Sequence, residues 1–411
     1  MRAVLKPLFV VLACLALTPA ATAADEIVEY LNGHWFDGDS FEPGRWYAID
    51  GRLSRSAPRS ADRVHDLRGG YVLPPLAEAH NHNLQNAWGV RNHRERYLAE
   101  GVQYAAMLCG DPASTQAAQA ALEQSPIDVL FASACISSSD GHPLAMARRN
   151  PDGSLIPVEQ VHDRDYIVMD SLADIDAKWP LVREARTDLI KVVLVHSERE
   201  QRRDDPRYYG RNGLKPALLA PLVRKAHEQG LRVAVHVESA SDFRVAVEAG
   251  VDFIAHLPGY QIWDGHDERD YRLDDDAIAA AARRGIAVVA TANAAEALAR
   301  DPQTLARVRA LQQDNLRRLL AAGVPVAIGS DRYDGTARNE IEYLAALQVM
   351  TTAQLLHAAV DTTPRLLFPQ RRIGRIAEGY EASFLVLEAD PLSDVAALRR
   401  IVWKLRRGHA Y

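Results

Sequence analysis

From Val102 onward, short apolar runs alternate with longer stretches whose apolar residues recur at helical spacing. The runs Val102–Cys109, Val129–Ile136, Leu189–Val195, Val233–Val237, Val251–Ala255, Ile286–Ala290 and Val324–Ile328 are rich in Val, Ile and Ala. They lack period-two alternation, which predicts strands buried on both faces. Helix-like stretches lie between several of them, at Pro216–Gln229, Ser241–Ala249, Asp274–Arg284 and Leu305–Ala322. Gly230, Gly250, Gly285 and Gly323 each close such a stretch just before the next strand, the position of a helix stop. Repetition of helix, glycine and strand predicts an α/β fold with a parallel sheet. Tyr71–Ala79 brings the strand candidates to eight, which points to a (β/α)8 barrel of the TIM type over residues 74–369. An open doubly wound sheet is the alternative, but it usually carries a glycine-rich phosphate loop after its first strand, and the sequence has none.

The flanks follow another pattern. Turn pairs Asn32-Gly33, Asp37-Gly38 and Asp50-Gly51 separate short apolar runs between Ile27 and Leu73, predicting hairpins. The stretch Ile373–Tyr411 has the same character, with Phe384–Leu387 and Ile401–Leu405 as strands. Residues 24–73 and 370–411 are therefore expected to meet in a small β-sandwich domain beside the barrel. Ser137–Asp165, rich in Ser, Asp, Gly and Pro, is long for a barrel connection, and long loops are often functional.

Residues 1–23 fit a different role. Arg2 and Lys6 precede the apolar run Leu8–Leu17, and Ala21-Thr22-Ala23 supplies small residues for cleavage. That is a secretory signal peptide, too short to span a bilayer, and it predicts a periplasmic or secreted protein cleaved after Ala23. No later segment is apolar enough for a membrane span. The mature chain keeps Cys109 and Cys135, each ending an apolar stretch. An oxidising compartment permits a bridge, although buried free thiols are the commoner state. Lys and Arg number 48 against 54 Asp and Glu, a net charge of -6, which argues against a nucleic-acid surface. A small-molecule substrate is the expected partner.

Barrel enzymes build their sites at the C-terminal ends of strands. Strand one ends in His80-Asn81-His82; Lys191 lies on the fourth strand, His236 ends the fifth, His256 the sixth, and Asp331 follows the eighth. His80 and His82, two apart on extended chain, point to one side, as ligands of one metal must. His236 and His256 on neighbouring strands offer a second position. Imidazole with carboxylate suits Zn²⁺ or a similar ion, which lowers the pKa of bound water. Asp331 could both ligate and carry a proton. Each residue alone has a plainer role, a bonded structural His or an Asp helix cap. Lys191, inside the apolar run Leu189–Val193, is harder to explain that way, because a buried ammonium is costly unless paired or neutralised.

On these residues the chain resembles the amidohydrolase superfamily of metal-dependent hydrolases, within its imidazolonepropionase-related, prolidase-like branch. The resemblance implies a carbamylated Lys191 bridging two divalent metals, usually zinc. One metal would take His80, His82, Lys191 and Asp331, and the other Lys191, His236 and His256, with Asp331 as the catalytic proton carrier. Gly141-His142 resembles an element of that branch and implies a substrate contact by His142. Tyr208, Tyr209 and Arg211 are candidates for binding a substrate carboxylate. Pro74-Pro75 and Glu78 replace the family's usual Pro-Gly and Asp, changing the approach to strand one but no ligand. His236-Val237-Glu238 has the wrong spacing for a deaminase, and Lys191 is present, so deamination is disfavoured. Glu340 and Glu342 are read as helix-start residues favouring the dipole. The function implied is hydrolysis of a non-aromatic amide bond, as in a dipeptide or N-acyl amino acid. An esterase, lactonase or phosphotriesterase on the same metals, or a non-catalytic metal-binding barrel, is the alternative.

Overall fold

The computed structural model describes residues 26–411 except residue 134; the expected leader at 1–23 lies outside the described residues. Five strands come first: β1 (Ile27–Phe36), β2 (Phe41–Ile49), β3 (Arg52–Ser54), β4 (Arg63–Asp66) and β5 (Tyr71–Leu73). Ten short strands follow: β6 (Leu76–Asn81), β7 (Val102–Leu108), β8 (Asp128–Ala132), β9 (Ile136–Ser137), β10 (Ile167–Val168), β11 (Ile190–Val193), β12 (Val233–His236), β13 (Phe253–Ile254), β14 (Ala287–Val289) and β15 (Val326–Ala327). The chain closes with β16 (Phe384–Leu387), β17 (Ile401–Arg406) and β18 (His409–Ala410).

β6, β7 and β8 form one parallel ladder, and β9 with β11 to β15 forms a second. Backbone hydrogen bonds join the two ladders at both seams. Asp188 N donates to Phe131 O at 2.9 Å, and Ala79 N donates to Ile328 O at 2.8 Å. The result is the expected barrel. Its third strand, expected as one run, is split into β8 and β9. At the break the Ser133 N–H goes to the Thr187 hydroxyl at 3.0 Å rather than to a ladder carbonyl. β10, which the sequence pattern did not suggest, lies on the free side of β9 at the end of the long loop.

The two faces of the barrel wall differ. Outward residues such as Val192, Val235, Ile254 and Val288 pack on the helices. Inward residues are mostly small, with Ala77, Ala79, Ala106, Ala132, Ala234, Ala255, Ala287 and Ala327 among them. Lys191 pairs with Ala234, and Val193 with His236, so alternation puts Lys191 and His236 on one face. The alanines leave that interior room for a long side chain.

Helices begin where side chains can cap them. Pro302–Ala321 starts three residues before the expected Leu305, because Asp301 accepts the Thr304 N–H and Pro302 needs no donor there. Gly250 and Gly285 end their helices with φ of 76° and 66°, the left-handed turn expected of them. No helix among the described residues is long and apolar enough to cross a membrane.

Strands from both ends of the chain share one sheet, in the order β18-β17-β16-β5-β1-β2-β3 with β4 on β1. It folds back on itself. Leu53 N donates to Tyr380 O, and Ala382 N to Gly51 O, both at 2.8 Å, around a core that includes Tyr30, Trp35, Trp46 and Phe384.

Candidate metal centre

The C-terminal rim of the barrel collects the expected residues. His80 is buried at the end of β6, with Nδ1 2.8 Å from Ala255 O, which leaves Nε2 turned toward its neighbours. That atom lies 3.3 Å from His82 Nε2 and 3.6 Å from Asp331 Oδ1. His82 Nε2 is 3.3 Å from the same carboxylate oxygen, and its Nδ1 faces Gln85 Oε1 at 3.1 Å. Ligand atoms of His80, His82 and Asp331 thus all lie within 4.8 Å of one another, close enough to share one ion. Second bonds that fix a ligand's ring in this way are usual at metal sites.

Backbone geometry brings Asp331 there. Gly329 has no room for a side chain, since a Cβ would meet Val289 Cγ1 at 2.5 Å and His80 N at 2.9 Å. The chain then turns at Asp331 with φ 47°, and Asp331 N donates to His80 O at 2.8 Å. Glu78 clamps this seam: it accepts from Ser330 N at 2.8 Å, Ser330 Oγ at 2.6 Å and His80 N at 3.2 Å. Burial pushes the Glu78 carboxyl up to about 8 despite these donors.

His236 and His256 stand next in the ring. Their imidazole centroids are 4.4 Å apart, and His256 is equally close to His80. His256 Nδ1 meets Thr291 Oγ1 at 3.0 Å and is 3.9 Å from Asp331 Oδ2. His236 Nε2 turns instead to Glu238 Oε1 at 3.1 Å, so His236 belongs to no His/Asp/Glu group of ion-sharing geometry among the described residues. Lys191 is buried, and none of the described residues gives its ammonium an ion pair or hydrogen bond. Burial pulls it down to about 7, against a weaker pull upward from Asp331. Burial, together with positive neighbours, also drives His80 and His256 well below the usual imidazole range. Both rings are therefore neutral, the form that ligates. Burial raises Asp331, which His82, Lys191 and His236 oppose.

The candidate substrate residues separate. His142 stacks on His236, with centroids 5.5 Å apart and planes 18° apart, and burial lowers it to about 3. Tyr208 lies under the Arg202 guanidinium at 4.3 Å, while Tyr209 and Arg211 are exposed on the same loop. Two other expectations are corrected. Cys109 and Cys135 are joined as a disulfide rather than left as thiols, since both sit at the same end of adjacent strands. Glu340 does stand in the first turn of its helix, but it is not a surface charge there: it is fully buried and accepts from Ala292 N at 2.9 Å and Asn293 N at 2.8 Å. Glu342 is the outer one, paired with Arg399.

Several residues of the site were not foreseen. Glu238 is buried and takes bonds from His236, Tyr260 Oη at 2.5 Å and Trp263 Nε1 at 2.9 Å. Burial opposes its ionisation, but the bonds from His236 and Tyr260 and the nearness of the His236 and His196 rings hold it at about 2. Its spacing of two from His236 at a strand end was the available signal. A second group, His196, Glu198 and His266, also has ligand atoms within 4.8 Å of one another. His196 and Glu198 lie beyond the end of β11, and His266 is on a loop that no periodicity places.

The amidohydrolase family model matches residues 207–403. That match spans a little less than half of the chain, and the histidines, Lys191 and Asp331 gathered on one barrel rim agree with the likeness. Over residues 207–403 the chain is similar to the amidohydrolase family. Among curated relatives, ochratoxinase of Aspergillus niger is 26% identical over 201 residues, 46% of this chain and 40% of that enzyme's length. Imidazolonepropionase of Salmonella agona is 23% identical over 81% of this chain and 82% of its own. Among solved structures, A. niger ochratoxinase superposes with a TM-score of 0.74 at 18% identity, covering 95% of this chain and 96% of that one. A Xaa-Pro dipeptidase with methionine in its active site gives 0.73 at 19%, covering 94% and 100%. These likenesses at low identity establish the fold.

Proposed function

We propose that the protein is an exported, metal-dependent hydrolase that cleaves an amide bond in a small molecule, such as a dipeptide or an N-acyl amino acid. The observation that carries this reading is Lys191, buried, without an ion pair or hydrogen bond among the described residues, and close enough in charge to act on His80, His256 and Asp331. An ammonium so placed is costly. Converted to a carbamate, the same side chain becomes an anionic oxygen ligand suited to its histidine neighbours. Burial favours that conversion, because the neutral amine is the form that adds CO₂, and Lys191 is held at about 7.

In this reading two divalent ions, zinc by the chemistry of the donors, would be held, one by His80, His82, Lys191 and Asp331 and the other by Lys191, His236 and His256. When bound they would supply Lewis acidity and an activated water. The chain's own groups do the rest. Asp331 accepts a proton at its carboxylate and returns it to the leaving nitrogen. His142, neutral and stacked on His236, faces the mouth as a hydrogen-bond partner for substrate. The match to a Xaa-Pro dipeptidase fold and to ochratoxinase supports a C–N bond as the target. Export through the 1–23 leader agrees with the Cys109–Cys135 bridge, since such bridges persist in oxidising compartments.

The test uses mature protein loaded with Zn²⁺ in bicarbonate and a panel of dipeptides and N-acyl amino acids. Turnover by the wild type, with Asp331→Asn losing 10²- to 10⁴-fold in kcat at little changed metal content, is the expected result; the size is about that of other general acid–base losses. Metal uptake by the wild type should rise with bicarbonate and that of Lys191→Ala should not. A metal-loaded protein that hydrolyses no amide, ester or phosphotriester would sink the reading in favour of a binding barrel.

A further inference from the structure

Just beyond the end of β11 lies a second set of metal-type donors that the mechanism above does not use. His196 and His266 bring their rings to 3.9 Å between centroids, and both side chains are almost wholly buried. Glu198 Oε1 lies 3.2 Å from His196 Nδ1. One donor atom from each of the three falls within 4.8 Å of the other two.

Three further features set this group apart from a packed pair of histidines. First, His196 Nε2 is buried with no hydrogen-bond partner. A buried polar atom left unmatched costs about 1–3 kcal/mol. Second, His196 has φ 49°, a left-handed conformation that glycine would adopt without strain. An imidazole kept at such a position is a cue to function. Third, the donors have the outer support of metal ligands. His266 Nδ1 faces Asp270 Oδ2 at 3.1 Å, and Arg199 holds Asp270 at 3.0 Å, so the His266 proton sits on Nδ1 and Nε2 offers its lone pair. Glu198 Oε2 accepts from Ser239 Oγ at 2.8 Å.

The charge balance agrees. Glu198, Glu238, Asp242 and Asp270 face this cluster, against Arg199 and Arg202. Two imidazoles and one carboxylate are the ligand set of a zinc-like first-row ion with an open position for water.

We propose that His196, Glu198 and His266 form a further cation site, distinct from the barrel-mouth centre, for a zinc-like divalent ion. The ion clasps the segment after β11 to the loop that follows β13. That loop carries Tyr260 and Trp263, whose bonds to Glu238 steady His236. The site thereby braces the mouth without entering the reaction.

The experiment is a metal count by elemental analysis on full-length mature protein, stripped with chelator and reloaded with Zn²⁺. The wild type is compared with His266→Ala, Glu198→Gln and the pair His80→Ala/His82→Ala. Wild type should hold one ion more per chain than His266→Ala or Glu198→Gln. The His80→Ala/His82→Ala protein, loaded with Co²⁺, should show a d–d absorption band that weakens, with one Co²⁺ fewer bound per chain, when His266→Ala is added. Equal counts in wild type and both single variants, with a Co²⁺ band indifferent to His266, would overturn the proposal. Failure of the hydrolase reading looks different, because the ion at His196, Glu198 and His266 persists whether or not any amide is cleaved.

Discussion

An ammonium buried on a barrel strand gives up its hydration, and that burial is what lowers the ionisation of Lys191. Its value of about 7 lies far below the ordinary 10.5, with burial as the first cause. The sign of the effect on stability follows. Between about 7 and 10.5 the unfolded chain still carries the proton and the folded chain has released it. Stability of the metal-free protein therefore rises with pH across that window, by about 1.4 kcal/mol per unit from this group alone. Below 7 both states are protonated and the cost of burying the charge is fully present. Replacing Lys191 by Met, similar in length and uncharged, should remove the slope. Urea midpoints of chelator-treated wild type and Lys191→Met at pH 7, 8 and 9 are expected to converge as pH rises, with Met the more stable at pH 7. Parallel profiles would show that the ammonium is solvated or paired in solution. The residue was legible in the sequence because an apolar run excludes a lysine that has no task. His196 was not, since what singles it out is a backbone angle and an orphaned nitrogen, neither of which spacing encodes.

Strand ends on the rim are held together by buried carboxylates rather than by longer strands. Glu78 joins the end of β6 to the segment after β15. Asp242 accepts from His196 N at 2.8 Å, Ser197 N at 2.7 Å and Glu238 N at 3.0 Å, joining the ends of β11 and β12. Glu340 does the same for the turn after β14, which carries Thr291 against His256. Each satisfies backbone N–H groups that short strands leave without a ladder partner. Glu340 and Glu342 show how little the sequence reveals of this. They are two residues apart at one helix start, yet one is buried against a loop and the other pairs with Arg399 at the surface. Glu340→Ala leaves its donors unmatched and should cost about 3 kcal/mol. Glu342→Ala removes an exposed ion pair and should cost within about 1 kcal/mol. Urea unfolding separates the two, and equal costs would mean the Glu340 bonds are replaced by water. The strands and the glycine-ended helices were readable because periodicity and stops are local. The carboxylate brackets were not, because each reaches at least one donor far away in sequence: Ser330 for Glu78, His196 for Asp242 and Ala292 for Glu340.

At the scale of the whole molecule, the barrel and the outer sheet are welded by charge as well as by apolar packing. Asp128, the first residue of β8, accepts from Arg371 at 2.5 Å and from Arg406 of β17. Glu381, just before β16, pairs with Arg371 at 2.6 Å and with Arg406 at 3.5 Å. Arg406 is buried, and it also reaches the Tyr104 hydroxyl of β7 at 3.3 Å. The hydrophobic pattern foresaw that both ends of the chain would meet beside the barrel; it could not foresee this joint, whose partners lie hundreds of positions apart. A buried guanidinium that loses a carboxylate keeps its desolvation cost without the compensating pair, which typically costs about 3–5 kcal/mol. Glu381 remains beside Arg406 after Asp128→Ala, so the lower end of that range is expected here. If the joint makes barrel and sheet one cooperative unit, the variant should unfold in a single calorimetric transition moved to lower temperature. Two transitions, with only the lower one moved, would mean that the sheet unfolds by itself and that the arginine network serves it alone. The site offers a second readout. Its ligands sit on the opposite rim from Asp128, at the strand ends, so a purely mechanical joint predicts that Asp128→Ala keeps the wild-type Zn²⁺ content while losing stability. Loss of metal together with stability would show instead that the ring of histidines depends on the outer sheet to hold its shape.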